Sequence, residues 1–261
     1  MALTPLPCAC TIAGSDSSGG AGIQADLRTF THFGVWGTSV VTAVTAQNTT
    51  GISGIWQMPP EAVSAQIMAV LADNKIRACK TGMLGSVACI SAVADTLPRD
   101  IPLIVDPVMV ATSGRRLLEE DAVEALINLL IPRAAIVTPN LAEAAILSGM
   151  DLIRTQEEMV QAGEVIRSLG AESVIVKGGH LKYPAEAVDV LVMQDEVITH
   201  TAPRFSHTAH GTGCVFSAAI TAQVAKGIDL TAAFLRAKEY VHKGIEEAQY
   251  LLSGNCSVSH R

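Results

Sequence analysis

An α/β domain built on a mostly parallel sheet is the fold class this sequence predicts, and three observations predict it. Short apolar segments alternate with longer helix-periodic ones almost from end to end, the pattern of a parallel sheet covered by helices. The 261 residues are enough for a sizeable core and contain neither a low-complexity linker nor a fixed-period repeat, so residues 1–261 read as a single domain. The polar and glycine-rich stretches fall just after the apolar segments, where ligands bind in open α/β sheets.

Taken in order, the first strand candidate is Cys8–Ala13, followed by GSDSSGGAGIQAD at Gly14–Asp26, a loop with four glycines that ends in a helix. Thr38–Ala46 is the second strand, with Gln47 and Asn48 directly after it, and Pro60–Asn74 carries helical periodicity. Ala78–Thr81, Leu103–Val105, Ala135–Thr138 and Ser173–Val176 are further strands, with helices at Glu119–Leu130 and Glu157–Leu169 between them. Val188–Met193 and Glu196–Thr201 form a small hairpin turning at Gln194 and Asp195. Two helices, Cys214–Lys226 and Thr231–Leu251, close the chain.

Composition excludes several classes. Hydrophobic residues make up 49% of the chain, which points to a globule rather than a disordered segment. The net charge is −7 and no basic stripe with interleaved aromatics occurs, so nucleic acid is not an expected partner. No apolar run approaches the roughly 18 residues of a membrane span, and the first residues lack a basic secretory start, so no membrane role and a cytoplasmic location are expected. The six cysteines, at 8, 10, 79, 89, 214 and 256, form neither a CxxC pair nor a zinc spacing and are read as reduced.

The candidate chemistry sits after the strands. Gly14–Asp26 contains neither GxxxxGK[ST] nor GxGxxG, so it is a tight turn or a ligand cradle of another kind. Asp26, early in its helix, could accept from a ligand amine or hydroxyl, or be a solvated helix-start acid. The Gln47 amide can donate and accept, which suits a heteroaromatic ring, although loop polarity explains it equally. DPVM places Asp106 at a strand end, and Met83 and Met109 would line an apolar slot or belong to the core. Asn140 and Glu143, three apart at a helix start, suit a hydrated magnesium ion, and the same letters write an N-cap with a first-turn acid. Lys177 could neutralise a phosphate or be a surface charge. In HGTGC, Gly211 and Gly213 lead into an apolar helix whose free N–H groups favour an anion or a thiolate; alternatively Thr212 caps and Cys214 fills space. His180 and His210 have no metal spacing and receive no role.

Together GSDSSGGAGIQADL, AQNT, KTGMLGS, DPVMVATSG, TPNLAEA, VIVKGGHL and HGTGC, in this order from about Cys10 to Ala225, resemble the hydroxymethylpyrimidine and phosphomethylpyrimidine kinases of thiamine biosynthesis. The resemblance implies a ribokinase-like fold with helices on both sheet faces. It also implies ATP- and Mg2+-dependent phosphorylation of 4-amino-5-hydroxymethyl-2-methylpyrimidine, then of its monophosphate, and a homodimer. It places Gly14, Ala21, Asp26, Gln47, Met83 and Val108 around the pyrimidine. Asn140, Glu143 and Asp106 fall near metal and phosphates, and Lys177 beside the ATP phosphates.

At the position where related sugar kinases carry an aspartate base, this chain has Cys214. The N–H groups of Gly211, Thr212 and Gly213 are then an anion hole; a helix start can lower the thiol pKa so that it accepts the substrate hydroxyl proton, while the nearby phosphates push it the other way. Two departures stand out. Thr208 and Ala209 precede HGTGC where NTHGTGC is common, and VATSGRRL puts Thr112 and Arg115 where Lys and Asp are common, in a loop that borders or covers the substrate. Competing readings are a pyridoxal or pyridoxine kinase, a non-catalytic pyrimidine-binding regulator, and a redox role for Cys214.

Overall fold

A computed structural model describes residues 6–48, 50–110, 116–179, 186–207, 209–250 and 256–260. Thr112, Arg115, His180 and Thr208 lie outside the described residues. The main elements of the first half are β1 (Cys8–Asp16), α1 (Gly22–His32), β2 (Trp36–Asn48), β3 (Gly51–Gln57), α2 (Pro60–Asp73), β4 (Ile76–Thr81), α3 (Val87–Thr96), β5 (Leu103–Val105) and α4 (Glu120–Ala125). They continue with β6 (Ala134–Val137), α5 (Leu141–Ser148), α6 (Gln156–Ser168), β7 (Ser173–Gly178), β8 (Glu186–Val192), β9 (Val197–Pro203), β10 (Ala209–His210), α7 (Thr212–Ala225), α8 (Leu230–Glu246), β11 (Gln249–Tyr250) and β12 (Cys256–Ser257).

Nine strands form one sheet in the order β3-β2-β1-β4-β5-β6-β7-β8-β9. Strands β2 to β7 in that order run parallel, while β3 at one edge and β8 and β9 at the other are antiparallel. The expected hairpin is therefore the far edge of the central sheet rather than a separate unit.

The strands are apolar on both sides because helices cover both faces. Cys8, Cys10 and Ile12 face the core under α2, α3, α5 and α6, and Ala9 between them faces the core under α1, α7 and α8. Val174, Val176 and Ile175 divide in the same way, as a period of two requires. Phe30, Ile104, Leu130 and Phe234 are fully buried, and each such side chain contributes roughly 1.5–3 kcal/mol of transfer free energy. α7 is buried on nearly every side, which is why its sequence shows no polar stripe.

Some boundaries moved. β3, GISGIWQ, has no alternating pattern to predict it, yet it pairs with β2 with Trp56 opposite Val44. α3 is likewise not among the expected helices; Ser86 caps it by accepting from the Cys89 N–H at 3.3 Å. The helix expected to end at Leu130 does so through a π-helical turn at Leu126–Leu130 just before Pro132. The last helix stops at Glu246, short of the expected Leu251, because the chain turns into β11. A second, three-stranded sheet has β12 between β10 and β11, so a strand near the C-terminus lies beside His210.

Candidate active site

The carboxyl ends of the parallel strands open into a cavity of about 670 Å³. Most of the residues the sequence singled out as site candidates line it: Gly14, Ala21, Asp26, Gln47, Met83, Asp106, Val108, Asn140, Glu143, Lys177, Gly211, Thr212, Gly213 and Cys214. Strand order ranks the lining. Gly14, Gln47 and Met83, after β1, β2 and β4, sit toward the β2 end, Asp106, Val108, Glu143 and Lys177 in the middle, and Ala187, Ala202 and Phe205 with Val241 and Ile245 of α8 toward the β9 end. Met109, the other methionine of the expected slot, is buried in the core and does not line the cavity.

The start of α7 is the feature that organises this cavity. Its N-cap is Gly211, in the left-handed conformation at φ 87°, and no side chain caps the helix. Thr212 is the first helical residue rather than a cap, so the first-turn N–H groups are left for a ligand. Opposite them is Lys177: a Cβ built on Gly213 would lie 3.5 Å from its Nζ.

Lys177 is not a surface charge. Its Nζ donates to Asp106 Oδ1 at 3.0 Å, and Asp106 also accepts from Thr138 Oγ1 at 3.3 Å and from Ser217 Oγ at 2.9 Å. Burial works against the ammonium charge, but Asp106 and Glu143 outweigh it and its pKa is raised. Asn140 and Glu143 form a full capping box. The Asn140 side-chain oxygen accepts from the N–H groups of Ala142 and Glu143, both at 3.0 Å, while Glu143 Oε2 accepts from the Asn140 N–H at 2.8 Å. Burial pushes the Glu143 carboxyl up to about 7, against the pull of Lys177.

Asp26 is fully buried, not a solvated helix-start acid. Its Oδ1 meets Lys80 Nζ at 2.7 Å and its Oδ2 accepts from Thr11 Oγ1 at 2.6 Å. Lys80, equally buried, was missed in the sequence, although a lysine inside the apolar strand IRACKT is the signal that could have found it. Burial disfavours its charge, but Asp26 outweighs this and its pKa is raised. The pair acts electrostatically on the Cys214 sulfur: Lys80 favours its thiolate, while Asp26 and Asp106 oppose it. Burial dominates there and pushes the thiol up to about 11, with the Lys80 charge and the Gly22 N–H acting in the opposite direction. Of the two opposing influences weighed from the sequence, the helix end does not win: burial, helped by Asp26 and Asp106, outweighs it.

Asp16 and His210 complete the β2 end, and neither had been given a role. Asp16 Oδ2 accepts from the Ala21 N–H at 2.8 Å and its Oδ1 from the Ser18 N–H at 2.8 Å, which folds the glycine loop around the carboxylate. His210 Nε2 lies 3.0 Å from Asp16 Oδ2 and 3.2 Å from the amide nitrogen of Gln47. Gly22, at φ 56°, starts α1 where a Cβ would sit 2.3 Å from the Gly14 carbonyl oxygen, so the loop closes only on glycine. Among the described residues no cluster of three or more His, Cys, Asp or Glu side chains could hold a metal ion, and no helix is long and apolar enough to cross a membrane.

The chain is similar to known proteins in sequence and in fold. Residues 16–259 match the family described as phosphomethylpyrimidine kinase. A Rhizobium meliloti protein named hydroxymethylpyrimidine/phosphomethylpyrimidine kinase is 50% identical over 248 residues, covering 94% of this chain and 93% of its own. The structure of an ADP complex of Bacillus subtilis pyridoxal kinase is similar with a TM-score of 0.89 at 36% identity, over 98% of each chain. That of phosphomethylpyrimidine kinase from Clostridium difficile 630 gives a TM-score of 0.80 at 42% identity, over 90% of this chain and 98% of that one.

Proposed function

The chain belongs to the phosphomethylpyrimidine kinase family, and on that premise we propose which of its residues carry the reaction. It is a ribokinase-like, ATP-dependent kinase of thiamine biosynthesis that phosphorylates hydroxymethylpyrimidine and then its monophosphate. The observation that carries the assignment of roles is the uncapped start of α7 between Lys177 and Cys214. Free N–H groups of Gly211, Thr212 and Gly213 there meet the charge that develops on the transferred phosphoryl group, and Lys177 neutralises the nucleotide phosphates.

The pyrimidine lies toward the β2 end, against Gly14, Ala21, Met83 and Val108, with its polar edge on Gln47 and its hydroxymethyl group toward Cys214. Asp26 acts from the floor, both as an acceptor near the ring and as the counter-charge of Lys80. The nucleotide takes the opposite end, between the β8–β9 hairpin and α8. As the acceptor oxygen attacks, its proton passes to the thiolate form of Cys214, the form that Lys80 favours. A hydrated magnesium ion, if bound, would be held by Glu143, with Asp106 close by. When bound, that ion draws charge from the phosphates. Both lone pairs of the Asn140 oxygen are committed to the cap, so its amide serves as a donor toward phosphate rather than as a metal ligand. The protein is further read as a single-domain, cytoplasmic homodimer. The exposed pair Val44 and Trp56 on the edge ladder supports the dimer, and a sedimentation mass of twice the chain checks it.

Incubation with ATP, magnesium and hydroxymethylpyrimidine is expected to yield ADP with the mono- and then the diphosphate. Tight binding without ADP would mark a regulator, and a higher kcat/KM on pyridoxine would move the activity to the vitamin of the structural neighbours. Glu143 supplies a second expected result. A carboxyl pushed up to about 7 loses its charge as pH falls through that value. The kcat/KM for magnesium-ATP should therefore drop about tenfold per pH unit below it. Glu143→Gln should abolish that acid limb and lower the plateau by roughly 10–100-fold. An unchanged limb in the variant would remove Glu143 from the phosphate site.

A further inference from the structure

The side chain of Gln47 has a defined place but two possible polarities. Its backbone is pinned from both sides by Ser17, whose Oγ accepts from the Gln47 N–H at 2.9 Å and donates to its carbonyl at 2.8 Å. What remains free is a half-turn of the terminal amide, which exchanges oxygen and nitrogen without moving anything else.

Two neighbours decide that half-turn. A carboxylate only accepts, so the His210 Nε2 that sits 3.0 Å from Asp16 Oδ2 must carry a hydrogen and donate it. That same nitrogen lies 3.2 Å from one end of the Gln47 amide, and an NH2 there would set donor against donor. On the other side, Thr45 Oγ1 has a single hydrogen and donates it to the Ser15 carbonyl at 2.9 Å. The amide end 3.2 Å from this hydroxyl therefore meets an acceptor, which calls for NH2 rather than oxygen. The two arguments are independent and agree: oxygen toward His210, nitrogen toward Thr45.

On the reading that Gln47 meets the pyrimidine, we infer that His210, held by Asp16, is a specificity-determining positioning residue that sets the polarity of the Gln47 amide. In that setting Gln47 presents an oxygen with a lone pair to spare and an NH2 with a hydrogen to spare. This edge matches a heterocycle carrying an exocyclic amine next to a ring nitrogen, where the ligand donates and accepts in the complementary order. It opposes the 4-oxo counterpart, whose ring N–H and carbonyl present the reverse order. A site built on paired polar groups rejects the mismatched edge because both sides are left unpaired.

The test compares kcat/KM for 4-amino-5-hydroxymethyl-2-methylpyrimidine and its 4-oxo analogue in wild type, His210→Leu and His210→Gln. Removing the histidine donor should lower the amino-to-oxo preference at least about tenfold, because Thr45, whose hydroxyl hydrogen can turn from the Ser15 carbonyl to the amide, then holds the polarity alone. His210→Gln, which offers an N–H to Asp16 and the amide, should retain most of the preference. Long-range 15N correlation spectra should show the hydrogen of His210 on Nε2, and Asp16→Asn should reduce the amino-to-oxo preference in the same direction as His210→Leu. The inference is overturned if His210→Leu loses activity equally on both compounds, or if the hydrogen resides on Nδ1. A wild type that turns over neither pyrimidine would instead sink the assignment of substrate, and the spectra would still report on the histidine.

Discussion

Cys214→Ala is expected to lose roughly 10²–10⁴-fold in kcat, the range general acid–base groups contribute, with a change of only a few-fold in affinity for the pyrimidine. The side chain is small and its helix is held by the rest of α7, so truncation leaves the anion hole and the cavity walls in place. What disappears is the acceptor for the hydroxyl proton. The pH profile separates this role from simple packing. Burial pushes the thiol up to about 11, so the thiolate is a minority form at neutral pH and becomes more abundant as pH rises. Wild-type kcat/KM for the pyrimidine should therefore climb from pH 7 to 9, while the residual activity of the alanine variant should lack this limb. Steady-state kinetics over that range, with pyrimidine affinity from calorimetry, checks both parts. Unchanged turnover in Cys214→Ala would take the sulfur out of the reaction.

Gly211→Ala should be the second severe change, although it adds one methyl group. Gly211 has φ 87°, a conformation L side chains rarely adopt, and its new Cβ would lie 1.8 Å from the carbonyl oxygen of Gly20 and 2.9 Å from the carbonyl carbon. Both obstacles are backbone, and Gly20 belongs to the loop that wraps Asp16, so relief means separating the anion hole from the glycine loop. Strain of about 1–3 kcal/mol is expected, visible as a fall of several degrees in Tm. Displacement of the N–H groups should cost about 10²–10³-fold in kcat. Gly213→Ala is the internal control. Its Cβ would meet only Lys177 Nζ at 3.5 Å, an ordinary contact with a flexible side chain, so its loss of turnover should be smaller by about an order of magnitude. Equal losses in the two variants would show that the φ 87° turn is not what places the hole.

The sequence by itself determined the parallel α/β class, most strands to within a few residues, and many of the side chains around the cavity, though not Lys80 or Asp16. These are written locally: a period of two or 3.6, a glycine where only glycine turns, an amide or carboxylate just past an apolar run. It did not determine β3, whose glycines break the alternation and whose existence depends on pairing with β2. Nor could it assign the polar partnerships. Asp26 meets Lys80 across 54 residues, and His210 meets Asp16 across 194. Strand order alone brings such residues together, and their proximity decides what each one is. Asp26 is a buried counter-ion instead of a surface acid, Asn140 is a cap whose oxygen is spent, and the Cys214 thiol is raised. Burial and neighbouring charge set these states, and both are properties of the packed chain rather than of any stretch of it.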